Sequence, residues 1–249
     1  MQQNSIYKKA LYLAVPMMIQ NGITNAVSLV DNLMVGSLGT EKMTAVSIAG
    51  QLFFVFFLAV FGGLSGPGIY SAQYFGQGNK EGYQKIFRLK VWITALLTVV
   101  GVIVFLVGGE WLIGLYLKGS GGNLDAGLTL ESALSYLRIM LIGLVPFAIT
   151  QIYAGSLREM GESMKPMLAG LVSVVVDIVF NYFLIYGKFG FPRLEVKGAA
   201  IATVMARFAE MFVVIIWTHV EIEKYSFLKN VYRTLRISLQ EMMPVIIKG

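Results

Sequence analysis

The chain has 249 residues, of which 56% are hydrophobic and only 14% are charged, and its mean hydropathy is +0.70. Soluble domains are nearer 25% charged, so the composition predicts a membrane protein built from apolar spans of about 20 residues. With no cysteine and a single histidine, His219, the chain is poorly supplied for a thiolate or histidine metal site, or for a Ser-His-Asp hydrolase. The formal charge of +6 does not indicate a nucleic-acid partner, because the basic residues lie between the apolar runs, where they set membrane topology. No phosphate-binding loop and no cofactor motif is present in the sequence.

Six apolar segments are long enough to cross a bilayer as helices, and they run over residues 10–36, 46–75, 89–117, 132–157, 166–187 and 197–219. The sequence therefore predicts an all-α membrane protein, with a six-transmembrane-helix bundle over residues 1–220. Residues 221–236 are expected to form a cytoplasmic linker. Residues 237–249 are expected to begin a seventh helix that is cut off at Gly249.

A short internal repeat supports the idea of a second unit. A basic residue is followed by a proline that opens an apolar run, seven positions later at Lys9 and Pro16 and eight positions later at Arg236 and Pro244 near the end of the chain. Parallel repeats of this kind occur in secondary transporters. We therefore expect the chain to hold one lobe and the first turns of another.

Lysine and arginine are distributed unevenly between the connecting segments. The N-terminus and loops two, four and six hold 12 of them, whereas loops one, three and five hold 5, when Lys90 and Lys197 at the span ends are counted with their loops. By the positive-inside rule, both ends of the six-helix unit are expected in the cytoplasm. The start of the chain shows no pattern of a removable signal peptide. The predicted location is a bacterial-type inner (plasma) membrane, crossed several times, with a cytoplasmic N-terminus.

The first apolar segment carries a row of polar side chains at steps of three and four, which places them along one side of a helix. The row consists of Gln20, Asn21, Thr24, Asn25, Ser28, Asp31 and Asn32. Such a row either makes hydrogen bonds between helices or lines an aqueous cavity. The carboxylate of Asp31 favours a cavity, since it needs water, a cation or a proton, and we expect the row to line a substrate cavity.

The fifth segment repeats this pattern, with Ser173, Asp177 and Asn181 four residues apart. A charge near the centre of a bilayer costs about 2.5–3.5 kcal/mol on insertion scales, so Asp177 indicates an ion or proton site. We place Ser173 with the cavity. An alternative is that Asp177 forms a buried ion pair with Arg207 or Arg138.

If Asp31 and Asp177 lie close together, both cannot be ionised at low cost, and a proton or a monovalent cation would relieve their repulsion. Together with Asn181 and Thr203 they would form an oxygen-rich site suited to a hard cation. The residues do not choose between H⁺ and Na⁺, and no other metal is expected. A second reading of Asp31 is that it lies near the headgroups and is simply solvated.

The second segment contains a dense group of small residues around a proline, with Gly66 and Pro67 at its centre. Small residues let helices approach closely, and proline removes a backbone hydrogen bond. This pattern is typical of a kinked, tightly packed helix, and it also marks Gly66 and Pro67 as a candidate hinge.

Several local motifs resemble multidrug and toxic compound extrusion (MATE) transporters. They lie at 16–21 (PMMIQN), 30–39 (VDNLMVGSLG), 154–167 (AGSLREMGESMKPM), 181–187 (NYFLIYG) and 196–203 (VKGAAIAT). Their order along six spans covers essentially the whole chain. The resemblance implies a fold of twelve helices in two lobes, of which this chain is the N-terminal one. It also implies export of amphipathic, often cationic compounds in exchange for H⁺ or Na⁺.

The resemblance also implies roles for particular residues. Asp31 matches the first-span aspartate that the family uses for cation coupling, and Thr203 matches a threonine near that site. Many bacterial members carry an asparagine on the fifth span and an aspartate or asparagine four residues later. Here Asp177 comes first and Asn181 second. The implied partners are the lipid bilayer, small amphipathic substrates, and either a C-terminal lobe or a second half.

Two alternative functions stay open at this point. A lipid-linked glycan flippase of the same superfamily would need a more basic groove, whereas only two arginines, Arg138 and Arg207, lie within the spans. An intramembrane aspartyl protease could use Asp31 and Asp177, but neither lies in the glycine-rich setting of such enzymes. We expect a transporter and no enzyme. A fragment of a longer protein and a half-transporter that dimerises are both compatible with the length.

Overall fold

A computed structural model describes residues 2–119, 125–229 and 231. Within these residues the chain forms α-helices and short 3₁₀ turns, and no strand. The helices are α1 (Gln2–Gly36), α2 (Thr40–Gly76), α3 (Lys80–Gly119), α4 (Ala126–Met140), α5 (Leu144–Glu159), α6 (Met164–Tyr186) and α7 (Glu195–Val220).

Six stretches of helix in the described part of the chain are long and apolar enough to cross a membrane, and this confirms the predicted all-α six-helix architecture. Two of the helices begin well before the predicted spans 46–75 and 89–117, because α2 starts at Thr40 and α3 at Lys80. The helices continue into polar residues at the level of the headgroups, and a prediction based on hydropathy leaves such residues out of the span. The predicted seventh helix, 237–249, and residues 232–236 of the predicted linker lie outside the described residues.

The fourth span, predicted as 132–157, is divided into α4 and α5 by a 3₁₀ turn at Leu141–Gly143. Pro146 lies in the first turn of α5, where backbone N–H groups have no acceptor within the helix, so the lack of an N–H group in proline costs no hydrogen bond. A Cβ atom on Gly143 would lie 3.1 Å from Cδ of Arg207 on α7. The break therefore lets the side chain of Arg207 pass close to the backbone of the fourth span.

Helices α6 and α7 form an antiparallel hairpin with the most extensive helix contact of the bundle, and α1 packs mainly against α6. Gly187 ends α6 with φ +66°, in the left-handed region that glycine adopts without strain. A Cβ atom on Gly198 would lie 2.6 Å from the carbonyl oxygen of Leu184, so only glycine permits this approach. The close hairpin holds the polar residues of α6 and α7 side by side.

The buried apolar side chains form two clusters, one toward each end of the bundle. The first joins α2, α3 and the fourth span through aromatic contacts such as Phe53 with Phe105, whose ring centroids are 5.3 Å apart. The second lies between α3, α5 and α7 and includes Tyr83, Phe87 and Tyr153. The polar site described below lies where α1, α4, α6 and α7 meet.

A buried ion pair joins α3 to α5 within the membrane-spanning part of the bundle. Lys90, only 1% exposed, pairs with Glu159. A Cβ atom on Gly68 would lie 2.9 Å from Oε1 of Glu159, so α2 approaches the pair through this glycine. Helix α2 continues without a break through Gly66 and Pro67, and the hinge there stays a prediction.

The segment after α7 packs against α3. Gln84 donates a hydrogen bond to the carbonyl oxygen of Lys229 (2.8 Å), and Arg88 donates one to that of Val231 (3.0 Å). The side chain of Phe227 stacks edge-on against Tyr83, with ring centroids 5.5 Å apart. The described part of the predicted linker is therefore a packed element of the lobe.

Candidate functional site

Asp31 of α1 meets Asp177 and Asn181 of α6. The Nδ2 atom of Asn181 donates a hydrogen bond to Oδ1 of Asp31 (2.9 Å). The carboxyl groups of Asp31 and Asp177 are in side-chain contact. Asp177 is 7% exposed and Asn181 is 1% exposed, whereas Asp31 is partly exposed. One turn of helix separates Asp177 from Asn181, so both reach the same side chain on α1.

Helices α7 and α4 complete this group. The side chain of Thr203 contacts the carboxylate of Asp177 and the hydroxyl group of Tyr136, and its Oγ1 donates to the carbonyl oxygen of Ala199 (3.1 Å). The structure thus brings Asp31, Asp177, Asn181 and Thr203 together from three helices. We call these four residues the carboxylate site.

Tyr136 is a member of this group that sequence reasoning does not predict. It lies buried on α4, between Ser135 and Leu137. Tyrosines are common near the ends of membrane spans, and Tyr136 is the fifth residue of the predicted span 132–157, so its position carries no signal of a site.

Two oxygen atoms of the carboxylate site have no hydrogen-bond partner. They are Oδ1 of Asp177 and Oδ1 of Asn181, and both are buried. Buried acceptors are normally paired, so these atoms are free to bind a ligand that supplies positive charge. Oxygen donors of this kind suit a hard cation or a proton. In the described residues no group of three acidic, histidine or cysteine side chains that could hold a metal ion is found.

The polar row of α1 is divided between two faces of the helix. Asp31 and Gln20 are partly buried against the bundle, whereas the rest of the row is exposed: Asn21, Thr24, Asn25, Ser28 and Asn32. The hydroxyl groups of the exposed face bond back to their own helix, from Thr24 to the carbonyl oxygen of Gln20 (2.9 Å) and from Ser28 to that of Thr24 (3.0 Å). Ser173 on α6 is partly exposed. The assignment of these residues to a substrate cavity stays a prediction.

A second polar group lies one to two turns along α7 from Thr203, and we call it the charge cluster. It consists of Arg207 and Glu210 of α7 and Arg158 of α5, with Glu210 in electrostatic contact with both arginines. Arg207 lies over the rings of Phe57 and Phe147, at 4.7 and 5.0 Å from their centroids.

Two links tie the charge cluster to its surroundings. Arg207 interacts electrostatically with Asp177 of the carboxylate site. Nη2 of Arg158 donates to Oε1 of Gln20 (3.1 Å), which joins the cluster to α1. Arg158 follows directly after the predicted span 132–157, so the sequence predicts it in a loop, whereas the structure places it in the last turn of α5.

Comparison with known proteins identifies the family of this fold. The MatE family model matches residues 16–183. The chain belongs to the MatE family. Its members are transporters and not enzymes, which excludes the aspartyl protease alternative.

Curated MatE relatives are about twice as long as this chain. A probable multidrug resistance protein NorM of Thermotoga maritima is 29% identical over 206 residues, which cover 82% of this chain and 42% of the relative. A probable multidrug resistance protein YoeA of Bacillus subtilis is 28% identical over 246 residues, covering 98% of this chain and 51% of the relative. The chain therefore spans about half the length of the MatE relatives it matches.

Solved MatE structures show the same fold. An outward-facing conformation of a multidrug resistance MATE family transporter of the MOP superfamily matches with a TM-score of 0.76 at 24% identity. The match covers 92% of this chain and 51% of that one. An inward-facing conformation matches with a TM-score of 0.74, also at 24% identity, over 96% of this chain and 51% of that one. The six-helix bundle is accordingly one lobe of the MATE transporter fold.

Proposed function

We propose that this chain is the N-terminal lobe of a secondary antiporter that exports amphipathic or cationic drugs and toxins in exchange for H⁺ or Na⁺. The carboxylate site is the coupling site of this lobe. The observation that carries the proposal is the pair Asp31 and Asp177, held in contact inside the membrane beside two buried oxygen atoms without partners.

The chemistry of exchange follows from the charges of this pair. Two carboxylates in contact repel each other when both are ionised, and a bound H⁺ or Na⁺ supplies the positive charge that removes the repulsion. Asn181 orients Asp31 by donating to its Oδ1, and Asp177 and Thr203 fix the other side of the site. Cation binding therefore strengthens the attachment of α1 to α6, and cation loss weakens it.

Helix α1 is the element on which such a change acts most directly. It lies at the edge of the bundle and packs mainly against α6, so few other contacts oppose its movement. The exposed polar face of α1 would meet the substrate and the second lobe. A change in how α1 is held thus links cation occupancy to the substrate path, which is the requirement for antiport.

The flippase alternative is less well supported. A groove that binds lipid-linked glycan phosphates should be strongly basic. Arg158 adds to the positive charge of Arg207, but Glu210 lies between them and balances one of the two charges. The group is therefore of mixed charge, and we prefer export of cationic compounds.

The experiment is ethidium efflux in membrane vesicles under an imposed gradient of H⁺ or Na⁺. The vesicles come from cells that express the chain alone or together with the C-terminal lobe of a MatE relative. The Asp31→Asn variant should insert normally and lose gradient-driven efflux, whereas Ser37→Ala, outside the site, should keep it. Equal efflux by the parent and by Asp31→Asn would contradict the proposal.

A further inference from the structure

The charge cluster lies next to the carboxylate site but has no part in the proposed exchange so far. Thr203, Arg207 and Glu210 are spaced by four and three residues, so they follow one face of α7 over about 10 Å. Arg207 interacts electrostatically with Asp177, and Glu210 interacts with Arg207 and Arg158. A chain of charges thus runs from the carboxylate site along the interior of the lobe.

One donor of the Arg207 guanidinium group has no hydrogen-bond partner. Its Nε atom is buried and has no hydrogen-bond partner, and its guanidinium lies over two phenylalanine rings. Gly143 lets it lie against the break of the fourth span. A guanidinium stays protonated under all ordinary conditions, so this is a fixed positive charge. Such charges act strongly where the surroundings are poorly polarisable.

The ionisable groups facing this region come from four elements. Asp31 lies on α1, Tyr136 on α4, Arg158 on α5 and Asp177 on α6, and they surround the two charges of α7. Three carboxylates and two guanidinium groups leave one negative charge in excess when all five are ionised. One bound monovalent cation would make the whole group neutral.

We infer that Arg207 and Glu210 are positioning residues that set the affinity of the carboxylate site for one monovalent cation. Arg207 weakens cation binding by repulsion, and Glu210 strengthens it by opposing the two arginines. The inference rests on the proposed coupling role of the carboxylate site. It adds a pair of residues on α7 that act through Asp177 without touching the ion.

The test measures Na⁺ binding by thermal unfolding of the purified 249-residue chain in detergent, at alkaline pH, with choline replacing Na⁺ at constant ionic strength. The parent chain should show saturable stabilisation by Na⁺ that Asp31→Asn abolishes. Arg207→Gln should lower the half-saturating Na⁺ concentration about tenfold, and Glu210→Gln should raise it about tenfold, within the usual range of couplings between sites.

Matched variants separate charge from packing. Arg207→Lys keeps the charge and should bind Na⁺ like the parent. The double variant Arg207→Gln with Glu210→Gln should return to within about threefold of the parent, because the two effects oppose each other. Arg138→Gln, which removes an exposed arginine of α4, should change nothing.

Three results would overturn the inference. The first is a half-saturating Na⁺ concentration within twofold of the parent in both single variants, and the second is a shift of that concentration in the same direction in both. The third is a parent chain that Na⁺ does not stabilise in a saturable way. The last result would leave the proposed exchange standing with H⁺ as the cation, provided that Asp31→Asn still abolished efflux driven by a pH gradient. Efflux indifferent to Asp31→Asn would instead contradict the proposed function itself.

Discussion

Asn181 has two tasks at the carboxylate site, because its amide group contains a donor and an acceptor. Its Nδ2 donates to Asp31, and its buried Oδ1 has no hydrogen-bond partner. The carboxylate of α6 lies one turn earlier, at Asp177. Helix α6 thus places one acid and one amide on the side that faces α1, and Asp31 receives a neutral donor.

Replacing Asn181 by alanine should weaken the attachment of α1 to α6. A hydrogen bond to a charged group contributes about 1.5–3 kcal/mol, so we expect a loss of stability of this order and cation binding weaker by about tenfold. Thermal unfolding with and without Na⁺ measures both effects. Ser173→Ala, on the same helix, is the control. Cation binding unchanged in Asn181→Ala would show that the amide is not part of the site.

Much of the carboxylate site can be predicted from the sequence, because membrane insertion makes every buried charge conspicuous. Asp31 and Asp177 stand out because a charge inside a bilayer costs free energy, and Asn181 stands out because it lies four residues after Asp177. The structure places the three residues together. Tyr136 and Arg158 escaped prediction for a common reason. Each is ordinary in its local context and acquires its role only through contacts with other helices.

At the scale of the helices, a buried ion pair of Lys90 and Glu159 joins α3 to α5. Its lysine is nearly fully buried, and Gly68 brings α2 against its carboxylate. Taking two charges out of water is costly, so such a pair stabilises the fold only as long as both partners are present.

The Lys90→Met variant should lower the free energy of unfolding by about 3–5 kcal/mol, because it leaves Glu159 buried without its counter-charge. Adding Glu159→Gln should recover most of the loss. Thermal or denaturant unfolding in detergent measures both variants, with Lys118→Met at the far end of α3 as control. An equal loss in the single and double variants would mean that the packing of Lys90 matters more than its charge.

The break between α4 and α5 shows the limit of sequence reasoning for helices. Pro146 and Gly143 are visible in the sequence, yet the fourth span reads as one apolar run. At the 3₁₀ turn the side chain of Arg207, from another helix, lies against Gly143, and this contact is not visible in the sequence. Lengths and periodicity therefore predict the spans, and long-range contacts decide where a span is interrupted.

At the scale of the whole molecule, ion pairs attach the segment after α7 to the loop before α6. Lys224 lies 3.0 Å from Glu162, and the hydroxyl group of Tyr225 donates to the same carboxylate at 3.3 Å. Partial burial acts to raise the pKa of Glu162, but Lys224, Tyr225 and Lys165 outweigh it and lower that pKa below its ordinary value of 4.5.

The sign of this shift gives a pH dependence. A carboxyl group with a lowered pKa stabilises the folded state above its unfolded pKa, and the effect disappears as the pH falls through the folded pKa. The parent should therefore be more stable than Glu162→Gln at pH values above 4.5, and the difference should vanish on further acidification. Unfolding midpoints measured across this range test the prediction. A difference that grew with acidification would contradict it.

The proposed orientation can be tested because the chain contains no cysteine. A single cysteine in place of Gln77, between α2 and α3, should react with an impermeant maleimide only after permeabilisation of the cells. A cysteine in place of Lys188, between α6 and α7, should react in intact cells. Both positions are exposed in the structure. The opposite pattern would place the N-terminus outside.

In the proposed function, a cation at the carboxylate site is exchanged for the exported compound. The most direct test is reciprocal flux in proteoliposomes that contain this lobe together with a C-terminal lobe. When ethidium is loaded inside and no ion gradient is imposed, its exit should drive H⁺ or Na⁺ inward. Asp31→Asn should abolish this inward movement. Ethidium exit without cation entry, or equal cation entry in Asp31→Asn, would contradict the account.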